Sequence, residues 1–86
     1  VKVILNIFVE SKDLGEVTRR LCDIDQVEDV YEVTGESDIV AVLDVEDVMG
    51  FREVLKDRIL DIDGIRSTVS SVITYIHKKD GKIADE

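Results

Sequence analysis

The sequence is sparing with the residue types that most chemistry needs. Cysteine occurs once, at Cys22, which excludes an internal disulfide framework and a thiolate zinc site. Cys22 falls on the apolar side of a helical pattern and reads as a small buried hydrophobe, not a reactive thiol. Proline and tryptophan are absent, and Asn6 and Gln26 are the only side-chain amides. A shortage of amides is one thermophilic trait, but the charge excess is aspartate and not lysine, so the trait carries no further. The one histidine, His77, stands beside Lys78 and Lys79 and reads as solvated. With no Ser/His pairing, no Gly-x-Ser-x-Gly elbow and no phosphate-cradling glycine loop, the residues give no case for an enzyme. Basic runs are missing apart from Lys78-Lys79, and the net charge is −9. Direct binding to nucleic acid or to anionic membranes is therefore disfavoured. No apolar stretch approaches the ~20 residues of a membrane span, and no signal peptide is evident, which points to a cytoplasmic location.

What the chain does have is hydrophobicity, charge and repetition. At 86 residues, 44% hydrophobic and 36% charged, it specifies one globular domain. A domain of this size buries only about 60–65% of its unfolded surface, so association would help it. Leu21-Cys22-Asp23-Ile24-Asp25-Gln26-Val27 reappears as Ile59-Leu60-Asp61-Ile62-Asp63-Gly64-Ile65, and each half reads strand, helix, strand. The strands are expected at 2–9, 28–34, 38–45 and 65–76. The first helix is capped by Ser11 or Asp13, with Glu16 completing a capping box, and buries Leu14, Val17, Leu21 and Ile24. The second starts near Asp47 and buries Val48, Phe51, Val54, Leu55, Ile59 and Ile62. Residues 78–86 read as a charged, frayed tail outside a domain of residues 1–77.

The order βαββαβ predicts an α+β, ferredoxin-like fold: a four-stranded antiparallel sheet with both helices on one face. Both faces of the two central strands are apolar. Val3, Leu5, Ile7 and Val9 oppose Ile4 and Phe8 in the first, and Ile39, Ala41, Leu43 and Val45 oppose Val40 and Val42 in the third. Glu28, Glu32, Ser67 and Ser71 break the pattern in the outer strands. Ile4, Phe8, Val40 and Val42 would be left in water in a monomer, which predicts a homodimer with two sheets packed face to face.

The acidic clusters Asp23, Asp25, Glu28, Asp29 and Asp61, Asp63 lack the longer oxygen series of a calcium loop and read as solvated turns; no metal or cofactor is implied. The remaining candidate is Val33-Thr34-Gly35-Glu36-Ser37-Asp38. Gly35 can take positive φ and leave N–H groups open to a carboxylate, and Asp38 can accept from an ammonium, together matching the two ends of an α-amino acid. Equally, Gly35 can simply turn the hairpin and Asp38 cap it, and on residue chemistry alone that plainer reading leads.

The run Val30-Tyr31-Glu32-Val33-Thr34-Gly35-Glu36-Ser37-Asp38, followed by a β run, a helix, Gly64-Ile65 and Thr68-Val69-Ser70, resembles the effector-binding (RAM) domain of the leucine-responsive Lrp/AsnC regulators. The resemblance runs from the first strand to about Ile76. It implies a dimeric α+β barrel that assembles further, often as a tetramer of dimers, with amino-acid effectors bound between dimers near the Gly-x-x-Asp turn. Carried over by position, Thr34, Gly35, Glu36, Ser37 and Asp38 would line the pocket, joined by Thr68 and Ser70, where Ser replaces the second Thr of a Thr-x-Thr pattern. It also implies regulation of transcription. Because the chain begins at the first strand, with no helix-turn-helix and no initial Met, it is expected to be a stand-alone or excised module acting through a full-length regulator. The competing classes are a small enzyme of the dimeric α+β barrel type, for which only Asn6, Tyr31, Tyr75 and His77 are on offer, an ACT domain, whose glycine-rich turn is missing after the first strand, and a ligand-free assembly module.

Overall fold

A computed structural model describes residues 1–84. The elements are β1 (Lys2–Val9), a 3₁₀ turn (Ser11–Asp13), α1 (Leu14–Cys22), β2 (Val27–Glu32), β3 (Ile39–Asp44), α2 (Val48–Val54), a π turn (Leu55–Ile59), β4 (Ile65–Val72) and a small hairpin, β5 (Lys78–Lys79) with β6 (Lys82–Ile83). The sheet order is β2-β3-β1-β4, every pair antiparallel, as the βαββαβ order predicts.

Alternation along the strands sets the two layers. Val3, Leu5, Ile7 and Val9 are buried under the helices, as are Ile39, Ala41 and Leu43. Ile4, Phe8, Val40 and Val42 face the other way and are half-buried. The core closes with Val17, Leu21 and Ile24 from the first half and with Phe51, Val54, Ile59 and Ile62 from the second.

The sequence repeat is a structural repeat. Leu21 and Ile59 are both fully buried, and each accepts from the amide three residues on: Ile24 N to Leu21 O at 3.2 Å and Ile62 N to Ile59 O at 3.0 Å. The halves diverge at Gly64, which has φ +101° where Gln26 stands in the first copy. Its carbonyl accepts from Glu10 N at 2.9 Å, and a Cβ there would lie 2.6 Å from Asp13 Cβ. The glycine thus lets the entry to β4 press directly against the entry to α1.

Several expectations are corrected. Cys22 is exposed. The buried face of α1 runs through Val17, Leu21 and Ile24, and Cys22, one residue beyond Leu21, is turned about 100° away from it. Val48 is 57% exposed at the first position of α2. The buried stripe there runs Phe51, Val54, Ile59, because the π turn adds a residue between Val54 and Ile59; Leu60 N donates to Leu55 O at 2.8 Å. Leu55 is only half-buried as a result. No side chain caps α1. A 3₁₀ turn leads into it instead, and Glu16 pairs with Arg19 rather than closing a capping box. Asp47 does cap α2, accepting from Gly50 N at 2.7 Å.

The strands are shorter than expected at their free ends, β2 stopping at Glu32 and β4 at Val72. Beyond β4, the segment expected to fray forms the β5–β6 hairpin, turned at Asp80 and Gly81, both at positive φ. An Asp-Gly pair with that geometry is a tight hairpin signal. Asp85 and Glu86 of the expected tail lie outside the described residues.

Candidate functional site

The segment between β2 and β3 is an exposed loop pinned at one end. Val33 N donates to Asp38 O at 3.1 Å, which closes the loop at the base of the β2–β3 hairpin. Asp38 N donates to Ile7 O at 3.0 Å, so the loop is tied to β1 as well. The Asp38 carboxylate accepts from Val9 N at 2.9 Å through Oδ2. Asp38 therefore does cap backbone, but that of β1 and not of its own hairpin. Its side chain carries a second oxygen, and the residue remains exposed. Gly35 sits at the tip with φ +153° and open space around it, and Thr34 and Glu36 are exposed.

Ser37 behaves differently from its neighbours. It is 6% exposed, the one buried polar residue among the described residues. Its hydroxyl donates to Oδ1 of Asn6 at 3.2 Å. A cleft of about 150 Å³ opens there, lined by Asn6, Phe8, Glu36, Ser37 and Val69. It lies on the helix-free face, since Asn6 is registered against Val40 on one side and Val69 on the other, and these share the face of Ile4 and Phe8.

Thr34, Gly35, Glu36, Ser37 and Asp38 are thus gathered in one loop, but Thr68 and Ser70 are not beside it. They pair with Ile7 and Leu5, whose side chains lie under the helices, so they sit on the opposite side of the edge strand β4. Thr68 is half-buried and Ser70 exposed. Within one chain, β1 separates them from the loop. Asn6 and Val69 are the additions that the loop motif does not indicate. The available signal was the lone amide in a strand whose other residues after Lys2 are apolar.

Ile4, Phe8, Val40 and Val42 share the helix-free face, with Asn6 between Ile4 and Phe8. At its end away from the loop, a cleft of about 470 Å³ is lined by Ile4, Tyr31 and Val42 of the sheet and by Tyr75 and His77 from the segment after β4. His77 is exposed and packs edge-on to Tyr75, ring centroids 4.7 Å apart. A cleft of about 690 Å³ lies at the C-terminal end of β3, among Gln26, Asp44, Glu46, Asp47, Met49 and Glu53. Among the described residues no cluster of His, Cys, Asp and Glu is arranged to hold a metal ion, and no helix is long and apolar enough to cross a membrane.

The chain is thus a ferredoxin-like α+β domain with one sheet face free of helices and a glycine loop pinned beside it. The family model for the Lrp/AsnC ligand binding domain matches residues 2–83, and the chain belongs to that family. The match extends through the β5–β6 hairpin. A helix-turn-helix transcriptional regulator of Pyrococcus furiosus is 29% identical over 75 residues, covering 87% of this chain and 51% of the relative. The chain spans about half the length of the curated relatives it matches. Among solved structures, AsnC of E. coli superposes with a TM-score of 0.83 at 25% identity, over 86% of this chain and 50% of that one. The feast or famine regulatory protein of M. tuberculosis, complexed with L-methionine, gives 0.80 at 25% identity, over 92% and 53%. The curated relatives are helix-turn-helix transcriptional regulators.

Proposed function

We propose that this chain is a cytoplasmic, oligomerising sensor of amino acids, not an enzyme, which acts on transcription indirectly through a full-length regulator of its own family. The observation that carries this reading is the pinned loop: Asp38 and Ser37 are fixed to β1, while Thr34, Gly35 and Glu36 are offered to solvent. A free carboxylate oxygen for an ammonium and open backbone N–H groups for a carboxylate suit the two ends of an amino acid. The complex of the M. tuberculosis protein with L-methionine supports the ligand class. Homodimers formed through Ile4, Phe8, Val40 and Val42 would assemble further, to a tetramer of dimers, with the loop at the junction. Thr68 and Ser70, remote from the loop within a chain, would reach an effector only from a neighbouring protomer.

Thermal shift across the twenty amino acids tests the proposal. A ligand at 100 times its Kd stabilises the native state by about 2.7 kcal/mol. The informative variant is Asp38→Asn, not Asp38→Ala, because Asn keeps an oxygen for Val9 N and removes only the charge. The shift should disappear in Asp38→Asn with the unliganded Tm nearly unchanged. No shift with any amino acid in the wild type would favour a purely structural assembly module.

A further inference from the structure

The stripe that faces away from the helices is apolar at every central position but one. Along β1 it runs Ile4, Asn6, Phe8, and the residues registered against Asn6 are Val40 and Val69. Side chains such as these pack well against a second sheet but specify its position poorly. A polar group in their midst is costly unless it is paired, and pairing it fixes a register.

Asn6 is half paired within the chain. Its Oδ1 accepts from the buried hydroxyl of Ser37 at 3.2 Å. An amide also carries two N–H donors, and among the described residues they have no protein partner. Ser37 belongs to the loop and Asn6 to the sheet face, and among the described residues this is the one side-chain hydrogen bond joining the two. The other ties of the loop to β1, at Ile7 O and Val9 N, run through the backbone of the strand and do not reach its outer face. The cleft beside the loop is built from both parts, Glu36 and Ser37 on one side and Asn6, Phe8 and Val69 on the other.

We infer that Asn6 is a positioning residue that couples the 33–38 loop to the sheet-to-sheet interface. Its amide oxygen holds Ser37, and with it the loop, while its N–H donors meet an acceptor on the second copy of the chain. Packing of the second sheet fixes the orientation of the amide, and the amide fixes Ser37. A change in the loop then biases assembly, and assembly biases the loop, to the same extent in each direction. The inference rests on the face-to-face dimer proposed above, but not on the identity of any effector.

Hydrogen exchange of the backbone amides of residues 35–38, measured above and below the concentration at which the dimer dissociates, tests the coupling without ligand. In the wild type, dimerisation should slow exchange of these amides by roughly two- to tenfold, the range expected for one hydrogen bond. Asn6→Leu should still dimerise, as its face becomes wholly apolar, yet lose the concentration dependence. Ser37→Ala, which removes one hydroxyl, should lose it as well, and the double variant should be no worse than either single one. Should Asn6→Leu fail to fold, Ser37→Ala carries the test alone. Loop protection that rises on dimerisation equally in wild type and variants overturns the inference, as does a wild type that stays monomeric at every concentration. The amino-acid screen reports separately: if it fails while Asn6-dependent protection persists, the coupling stands and the effector reading falls.

Discussion

Replacing Gly64 with alanine should destabilise the domain more than its surface position suggests. Gly64 has φ +101°, where an L side chain is strained, and a Cβ there would lie 2.6 Å from Asp13 Cβ and 3.0 Å from Asp13 Cγ. The strain alone costs about 1–2 kcal/mol. The clash adds to it, because Asp13 Cβ is anchored to backbone and cannot swing aside as the end of a long side chain would. Relief requires separating the β4 entry from the α1 entry, at the expense of the Glu10 N to Gly64 O bond of 2.9 Å, worth ~1 kcal/mol. The sum is about 2–4 kcal/mol. Urea unfolding with an unchanged m-value measures it; with m near ~1 kcal/mol/M the midpoint should fall by roughly 2–4 M. Gly15→Ala is the control of opposite sign. That residue lies in α1 with nothing within 4 Å of its added Cβ and should stabilise by about 0.5–1 kcal/mol. Adding Asp13→Gly to Gly64→Ala should recover the clash but not the strain. A loss under ~1 kcal/mol for Gly64→Ala, or no recovery in the double variant, would refute the close-approach argument.

The Glu16 carboxyl titrates below its ordinary value, first because Arg19 donates hydrogen bonds to it and also through the charges of Arg19 and Arg20, with desolvation opposing. A folded pKa depressed from 4.5 means that the stabilisation is complete above that pH and is lost as pH falls through the folded value. Carbon-detected NMR titration should place the Glu16 midpoint below that of an unpaired Glu, and Arg19→Ala should return it. Val42→Glu puts a charge on the half-buried outer face of β3 and should give a folded monomer by sedimentation and circular dichroism, whereas the wild type sediments as a dimer or larger. A wild-type monomer at micromolar concentration would refute the face-to-face packing.

The order of the strands and their two-sided apolarity were legible in the sequence because side-chain alternation has a fixed period and the chain states it twice. Ile4, Phe8, Val40 and Val42 could be assigned to the helix-free face with no structure at all. The boundaries of α2 could not be placed so well. A helical period of 3.6 carries the stripe through Leu55, while the packing of Ile59 beneath the sheet is met by a π turn that no local pattern announces. Cys22 was misplaced for a related reason: a residue at the margin of an apolar arc is settled by where the helix ends. The hairpin after residue 77 was hidden by its charge, although Asp80-Gly81 was the turn signal in plain view.

By itself, then, the sequence determined the ferredoxin-like topology, the duplicated βαβ plan, the bare sheet face and the Gly35 to Asp38 loop, since each follows from periodicity or from residue chemistry within a few positions. Only the tertiary structure decided what that loop is attached to. Asp38 is separated from Val9, and Ser37 from Asn6, by some thirty positions in the chain. These are contacts between strands brought together by the crossover through α1, and no local spacing encodes them. They tie the loop to β1 rather than leaving it a free turn, while the register of β4 against β1 puts Thr68 and Ser70 on the helix side of the sheet, because strand register and not sequence proximity sets which side chains can meet.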